Sequence, residues 1–126
     1  MNLKRVVVTG IGALTPIGNT APAFWDGLMA GKPGADFITL FDAEKFRTRF
    51  ACEVKGFDPT EFLDKKEARK VDRYTQFGLV VSDEAVKDAG ISKDNVNADR
   101  VGVIFSSGIG GLVTFQEEII NFANGD

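Results

Sequence analysis

Consecutive apolar residues without polar alternation occur in two places, KRVVVTG at residues 4–10 and RVGVIFSS at residues 100–107. Three successive β-branched valines in the first predict a strand covered on both faces, and the second reads the same way. Elsewhere the spacing is helical. Pro22 opens a short helix, PAFWDGLMAG, that Gly31 stops. Residues 31–57 read as irregular, with a short strand pair around residues 37–40 and 50–54, and residues 59–63 as one helical turn. The longest helical pattern covers residues 66–89 and ends at Gly90, a residue that accepts the left-handed C-terminal turn. At about 100° per residue, Val71, Tyr74, Thr75, Gly78, Ser82, Ala85 and Ala89 share one side. Most are small, so that side should pack very close to its neighbour. Phe77, Leu79, Val80 and Val81 fall elsewhere on the wheel, which predicts a middle section buried nearly all round. GLVTFQEEIINFANG, residues 111–125, reads as the final helix.

The order strand, helices, strand, helix is that of an α/β protein with a parallel sheet joined by crossovers. Parallel strands need neighbours and cover on both faces, and only two convincing core strands are visible. Two strands and eleven phenylalanines read as part of a larger domain. The chain carries no internal repeat, low-complexity tract or linker.

Composition narrows the chemistry. The chain has no histidine and a single cysteine. Ser-His and Cys-His pairs and histidine-bound metals are thereby excluded within it, as are CxxC motifs and an internal disulfide. No apolar run approaches the roughly 20 residues of a membrane span. The basic start lacks the length and cleavage pattern of a signal peptide, so a cytoplasmic location is the default expectation. The net charge is −3, but the stretch KKEARKVDR, residues 65–73, carries five basic and two acidic residues. An acidic balance argues against a nucleic-acid binder. The local positive face needs its own explanation. Lys66, Arg69, Lys70 and Arg73 stand at i, i+3, i+4 and i+7, one side of the expected helix. Such a run is usually a solvated face; on an acidic chain it can also dock a negatively charged partner.

Two glycine turns invite a nucleotide-binding reading, and both fail it. In VVVTGIGALTPIGN, Gly10 and Gly12 begin a GxGxxG pattern, but Thr15 takes the third glycine position and Pro16 follows. The short-chain dehydrogenase variant fails as well, at Leu14 and Pro16. In FSSGIGGL, residues 105–112, Val113 stands where the third glycine belongs. Taken alone this second turn is a glycine-rich strand-to-helix connection. Cys52 lacks a glycine elbow or a following helix start to activate it, and reads as a small, partly buried structural thiol.

The stretches KRVVVTGIGALTPIGN, FDAEKF, KKEARKVDRYTQFGLVVSDEAVKDAG and VGVIFSSGIGGL together resemble the N-terminal part of the β-ketoacyl-[acyl carrier protein] synthases, nearest to synthase II. The resemblance spans essentially the whole chain. It implies a thiolase-like fold, an αβαβα layered sandwich of two duplicated βαβ halves, of which residues 1–126 would hold only the N-terminal part of the first half. It implies a condensing enzyme of fatty-acid synthesis, usually a homodimer, that elongates acyl thioesters with malonyl-carrier protein by decarboxylative Claisen condensation.

In this family the nucleophilic cysteine and two assisting histidines lie beyond the matched region. No catalytic residue is therefore expected in this chain, nor any cofactor or metal. Cys52 matches a position where glycine is common. The resemblance assigns Ile109 to a position bordering the acyl channel. It assigns Lys66, Arg69 and Lys70 to the docking of acyl carrier protein, an acidic partner bearing a phosphopantetheine arm. Two rivals remain open: a catalytically dead homologue of the chain-length-factor type, and a nicotinamide-dependent oxidoreductase.

Overall fold

The computed structural model describes residues 3–125. Its helices are α1 (Ala21–Met29), α2 (Lys65–Ala68), α3 (Arg73–Asp88) and α4 (Leu112–Asn124), with 3-10 turns at Pro59–Glu61 and Ala98–Arg100. Two short strands, β1 (Asp36–Phe37) and β2 (Phe50–Ala51), pair antiparallel, Asp36 opposite Ala51 and Phe37 opposite Phe50. The chain divides into two compact units. One holds the residues up to Phe57 together with Val81–Ile91, and the other holds Asp58–Val80 and the residues from Ser92 onward. One of the dividing points falls within α3, between Val80 and Val81, so each unit uses a different stretch of that helix.

Local stop signals act where the sequence places them. Thr20 caps α1, its Oγ1 accepting from the Ala23 N–H at 3.2 Å, and Pro22 stands in the first turn, where a missing N–H costs nothing. At the other end Gly31 adopts φ +64°. The Lys32 N–H reaches the Gly27 carbonyl at 2.9 Å and the Gly31 N–H the Leu28 carbonyl at 3.0 Å, a Schellman ending. Gly90 closes α3 in the same way, with φ +63° and the Ile91 N–H bonded to the Val86 carbonyl at 3.1 Å. The expected turn at residues 59–63 and the final helix also form.

The strand pair expected around residues 37–40 and 50–54 forms in a shorter version, extended by the Ile38 N–H donating to the Arg49 carbonyl at 3.0 Å. Carboxylates hold its continuation. Glu53 accepts from the Thr39 hydroxyl at 2.7 Å and from the Thr39 and Leu40 N–H groups at 3.1 and 3.3 Å. Asp36 accepts from the Lys55 ammonium and from the Phe37 N–H at 2.8 Å. The Thr39 hydroxyl draws the Glu53 pKa below its ordinary 4.5, and Lys55 draws that of Asp36 below 3.8.

The small side of α3 does pack closely. A Cβ on Gly12 would fall on the Val81 carbonyl group, 2.9 Å from its carbon, and one on Gly10 would stand 2.5 Å from the Ala89 nitrogen. In the other unit a Cβ on Gly78 would meet the Phe105 ring at 2.8 Å. Glycine is thus needed at these places for close approach of backbone or ring.

Three expectations need correction. Helix 66–89 is broken: residues 69–72 separate α2 from α3, because Asp72 caps a fresh helix start, its Oδ1 accepting from the Thr75 N–H at 2.9 Å. The middle of α3 is not buried all round, since Val80 is 5% exposed but Leu79 47%. Finally, the valine-rich runs at residues 4–10 and 100–107 form no ladder among the described residues. A strand exists through its partner, and these runs stand open, with Val6 90% and Ile104 97% exposed. Among the described residues only Ala43, Ala68 and Val80 are buried apolar residues, and the chain exposes 10694 Å², against about 6,600 Å² for a folded monomer of this size. Much apolar surface is left uncovered.

Two outcomes follow. Gly12→Ala should cost about 1–3 kcal/mol or more, since backbone must shift to admit the methyl group. Gly102→Ala, with nothing within 4 Å of the new Cβ, should be near neutral; side-by-side thermal unfolding compares them. Acid should loosen the strand pair first. Because Asp36 and Glu53 have folded-state pKa values depressed below their ordinary ones, their contribution is complete above those values and fades as pH falls through the lower ones. Amide exchange at Thr39 and Leu40, corrected for its intrinsic rate, should gain relative to Ala30 as the pH falls below the ordinary carboxylate values of 3.8 and 4.5. Ala30 donates instead to the Asp26 carbonyl, and a constant ratio would show that the carboxylates do not hold the pair.

Candidate carrier-docking surface and acyl-pocket turn

The four-residue helix α2 is built from its caps. The Asp64 side chain accepts from the Lys66 N–H at 2.8 Å at the start. At the end Gln76 reaches back from α3, its Nε2 donating to the carbonyls of Ala68 at 2.8 Å and Val71 at 3.3 Å. Ala68 is the buried anchor, and Lys66, Arg69 and Lys70 are all exposed. Arg69 is the C-cap, still in right-handed helical geometry. Lys70 pairs with Glu67 at 2.6 Å. Neither Lys66 nor Arg69 takes part in an ion pair among the described residues, so the cations stand toward solvent with little local neutralisation. Arg73 leaves the group: it begins α3, and its guanidinium lies 4.9 Å from the Phe77 ring centroid. The single basic side expected at i, i+3, i+4 and i+7 is therefore a three-residue platform, because the helix that would have aligned the fourth is interrupted.

Ile109 lies in the turn before α4, in the same unit, and is 79% exposed. The Ser107 hydroxyl accepts from the Gly110 N–H at 3.0 Å, and Gly110 has φ +84°, a conformation that favours glycine. A Cβ on Gly110 would stand 3.8 Å from the Tyr74 ring. Gly111 precedes α4 and supplies no side-chain cap. The Asp72 carboxylate occupies the space beside it: a Cβ on Gly111 would stand 2.7 Å from the Asp72 Cγ. Asp72 and Gln76 thus link α2, α3 and the turn. Sequence reasoning passed over both. The available signal was an aspartate immediately before a helical run, the ordinary N-cap pattern.

The first glycine turn is closed to phosphate. The Ile11 N–H donates to Asp88 Oδ2 at 2.9 Å and the Ala13 N–H to Glu84 Oε2 at 2.8 Å, while the other Glu84 oxygen accepts from the Ala21 N–H at 2.8 Å. A pyrophosphate cradle needs such amides free and no carboxylate facing the ligand. That removes the basis of the nicotinamide reading. Cys52, which directly follows β2, is exposed rather than partly buried.

Known structures place the arrangement. A solved protein described as the ishigamide ketosynthase/chain length factor superimposes with a TM-score of 0.78 at 30% identity, over 95% of this chain and 30% of its own. The AntDE:AntF complex, a type II PKS acyl-carrier protein with its ketosynthase bound to the hexaketide, gives 0.70 at 26% identity, over 96% and 31%. These are ketosynthases of the thiolase-like α/β fold, and the chain has the N-terminal part of that fold. In sequence, residues 3–124 match the family described as β-ketoacyl synthase, N-terminal domain. The chain belongs to that family. The 3-oxoacyl-[acyl-carrier-protein] synthase 2 of Synechocystis sp. is 50% identical over 115 residues, which are 91% of this chain and 28% of that enzyme. Among the described residues no helix is long and apolar enough to cross a membrane.

Proposed function

We propose that this chain is the N-terminal portion of an elongating 3-oxoacyl-[acyl carrier protein] synthase, cytoplasmic and homodimeric in its complete form. Lys66, Arg69 and Lys70 dock the acidic carrier, and Ile109 borders the channel that receives its acyl chain. The observation that carries the reading is the exposed cationic platform formed by α2 and the residues that directly follow it, in the same unit as the Ile109 turn, on a chain of net charge −3. A confined positive surface on an acidic molecule favours an acidic partner at one place and repels it elsewhere. The carrier-protein complex of the AntDE:AntF ketosynthase supports that class of partner. The residues of this chain bind and orient. With no histidine and a single exposed thiol, the chain lacks the groups that would take the acyl chain or assist loss of CO2, and it has no condensing activity by itself.

A second reading has one observation behind it: the likeness to a protein described as ketosynthase/chain length factor. A chain-length-factor subunit would share this region and lack the nucleophilic cysteine downstream. The sequence that follows residue 126 in the gene distinguishes the two.

Charge reversal tests docking. In the full-length synthase, Lys66→Glu with Arg69→Glu should raise KM for carrier-bound substrates about tenfold or more, with little change for a short pantetheine thioester. Added salt should reproduce the effect, since exposed charges are screened over about 8 Å at physiological ionic strength. Equal losses on both substrate forms would mean a folding defect and defeat the docking role.

Side-chain volume tests the pocket. Ile109→Phe should reject long acyl groups before short ones, shifting relative kcat/KM by about 10-fold or more, the size expected when a methylene or two no longer fits. Decarboxylation of malonyl-carrier should be largely kept. A uniform loss over all lengths, or no change, would take Ile109 out of the channel.

A further inference from the structure

We propose that Asp72 is a positioning residue that fixes the Ile109 turn against the start of α3, and so sets the sharpness of acyl-length selection from the docking side of the unit. This rests on the reading of Ile109 given above. Asp72 does three things at once. Its Oδ1 accepts from the Thr75 N–H at 2.9 Å and its carbonyl from the Gln76 N–H at 2.9 Å, which starts α3. Its other carboxylate oxygen lies against Gly111, in the space a side chain there would fill. That places an anion at the N-terminus of α4, a 13-residue helix whose own N-cap is a glycine without a side-chain bond. The positive end of a helix attracts a negative charge, so the carboxylate holds α4 and the turn before it to α3. Gln76, the next residue bonded to Asp72, holds the carbonyls of Ala68 and Val71 at the end of α2. The platform and the turn therefore share one small polar junction. Ile109 can define the end of a channel only if its own backbone is held, and two glycines follow it directly. Gly111 admits the carboxylate, and the two glycines also leave the turn slack once the anion is removed.

The test separates the two uses of the carboxyl group. Asp72→Asn keeps an oxygen for the Thr75 N–H, and with it the α3 cap, but removes the charge facing α4. Gly111→Ala acts from the other side by displacing the carboxylate. In the full-length synthase either change should flatten the discrimination between short and long acyl-carriers by about fivefold, while binding of unacylated carrier changes less than twofold. Amide exchange at Gly111, Leu112 and Val113 should accelerate about fivefold or more in Asp72→Asn, with residues of α3 unchanged. If Ile109→Phe shifts chain-length preference but Asp72→Asn and Gly111→Ala leave it intact, the positioning role is overturned and the pocket reading stands. If Ile109→Phe has no effect, the pocket reading fails, and exchange alone then judges whether Asp72 holds the turn. Unchanged exchange at those three amides overturns it.

Discussion

The side of α3 that carries almost no side-chain bulk is the constraint on which both units depend. Ala85 and Ala89 leave room for the backbone of Gly10 and Gly12, and Gly78 leaves room for the Phe105 ring. At Gly10 and Gly12 such contacts cannot be re-made with larger residues, because the nearest atoms are main-chain carbonyls and nitrogens rather than the end of a flexible side chain. The glycines thus serve packing, and the motif they imitate is incidental. Where the backbone comes so close, its N–H groups need partners, and Glu84 and Asp88 supply them from the same helix.

Acidic side chains hold much of the local structure. Asp58, Asp64 and Asp72 start helical turns, Glu53 and Asp36 hold the loop side of the strand pair, and Glu84 ties the first glycine turn to the start of α1. The lysines and arginines are less committed, with only three ion pairs among the described residues, all exposed. Exposed pairs of that kind contribute little to stability. The division has a functional consequence. Carboxylates are spent on the backbone, while the cations of α2 remain accessible to a partner.

Break points matter as much as elements. A single helix over residues 66–89 would align four cations along one side. Ending α2 at Ala68 and restarting at Arg73 turns Asp72 into a junction and leaves Lys66, Arg69 and Lys70 on a short, capped, exposed segment. The exposed apolar residues of the valine-rich runs and of α4 fit the family relation, since this chain spans 28% of the Synechocystis synthase. Apolar surface at that scale needs cover from another layer or another chain.

The sequence by itself determined the ends of α1, the end of α3 and the family. Pro22, Gly31 and Gly90 act through φ preferences that belong to single residues, so they can be read without knowing any neighbour. The small side of α3 was legible too, because it repeats with the helical period. The family resemblance likewise rests on residues in order along the chain. Asp72 carried a local cue that was outweighed by the longer periodic run around it. What only tertiary structure decided lies across distance. Whether a valine run becomes a strand depends on a partner that no local pattern encodes. The exposure of Cys52 depends on what packs beside it in three dimensions. The closing of the first glycine turn depends on carboxylates 71 and 77 residues away, and hydrogen bonds between such remote groups leave no period in the sequence.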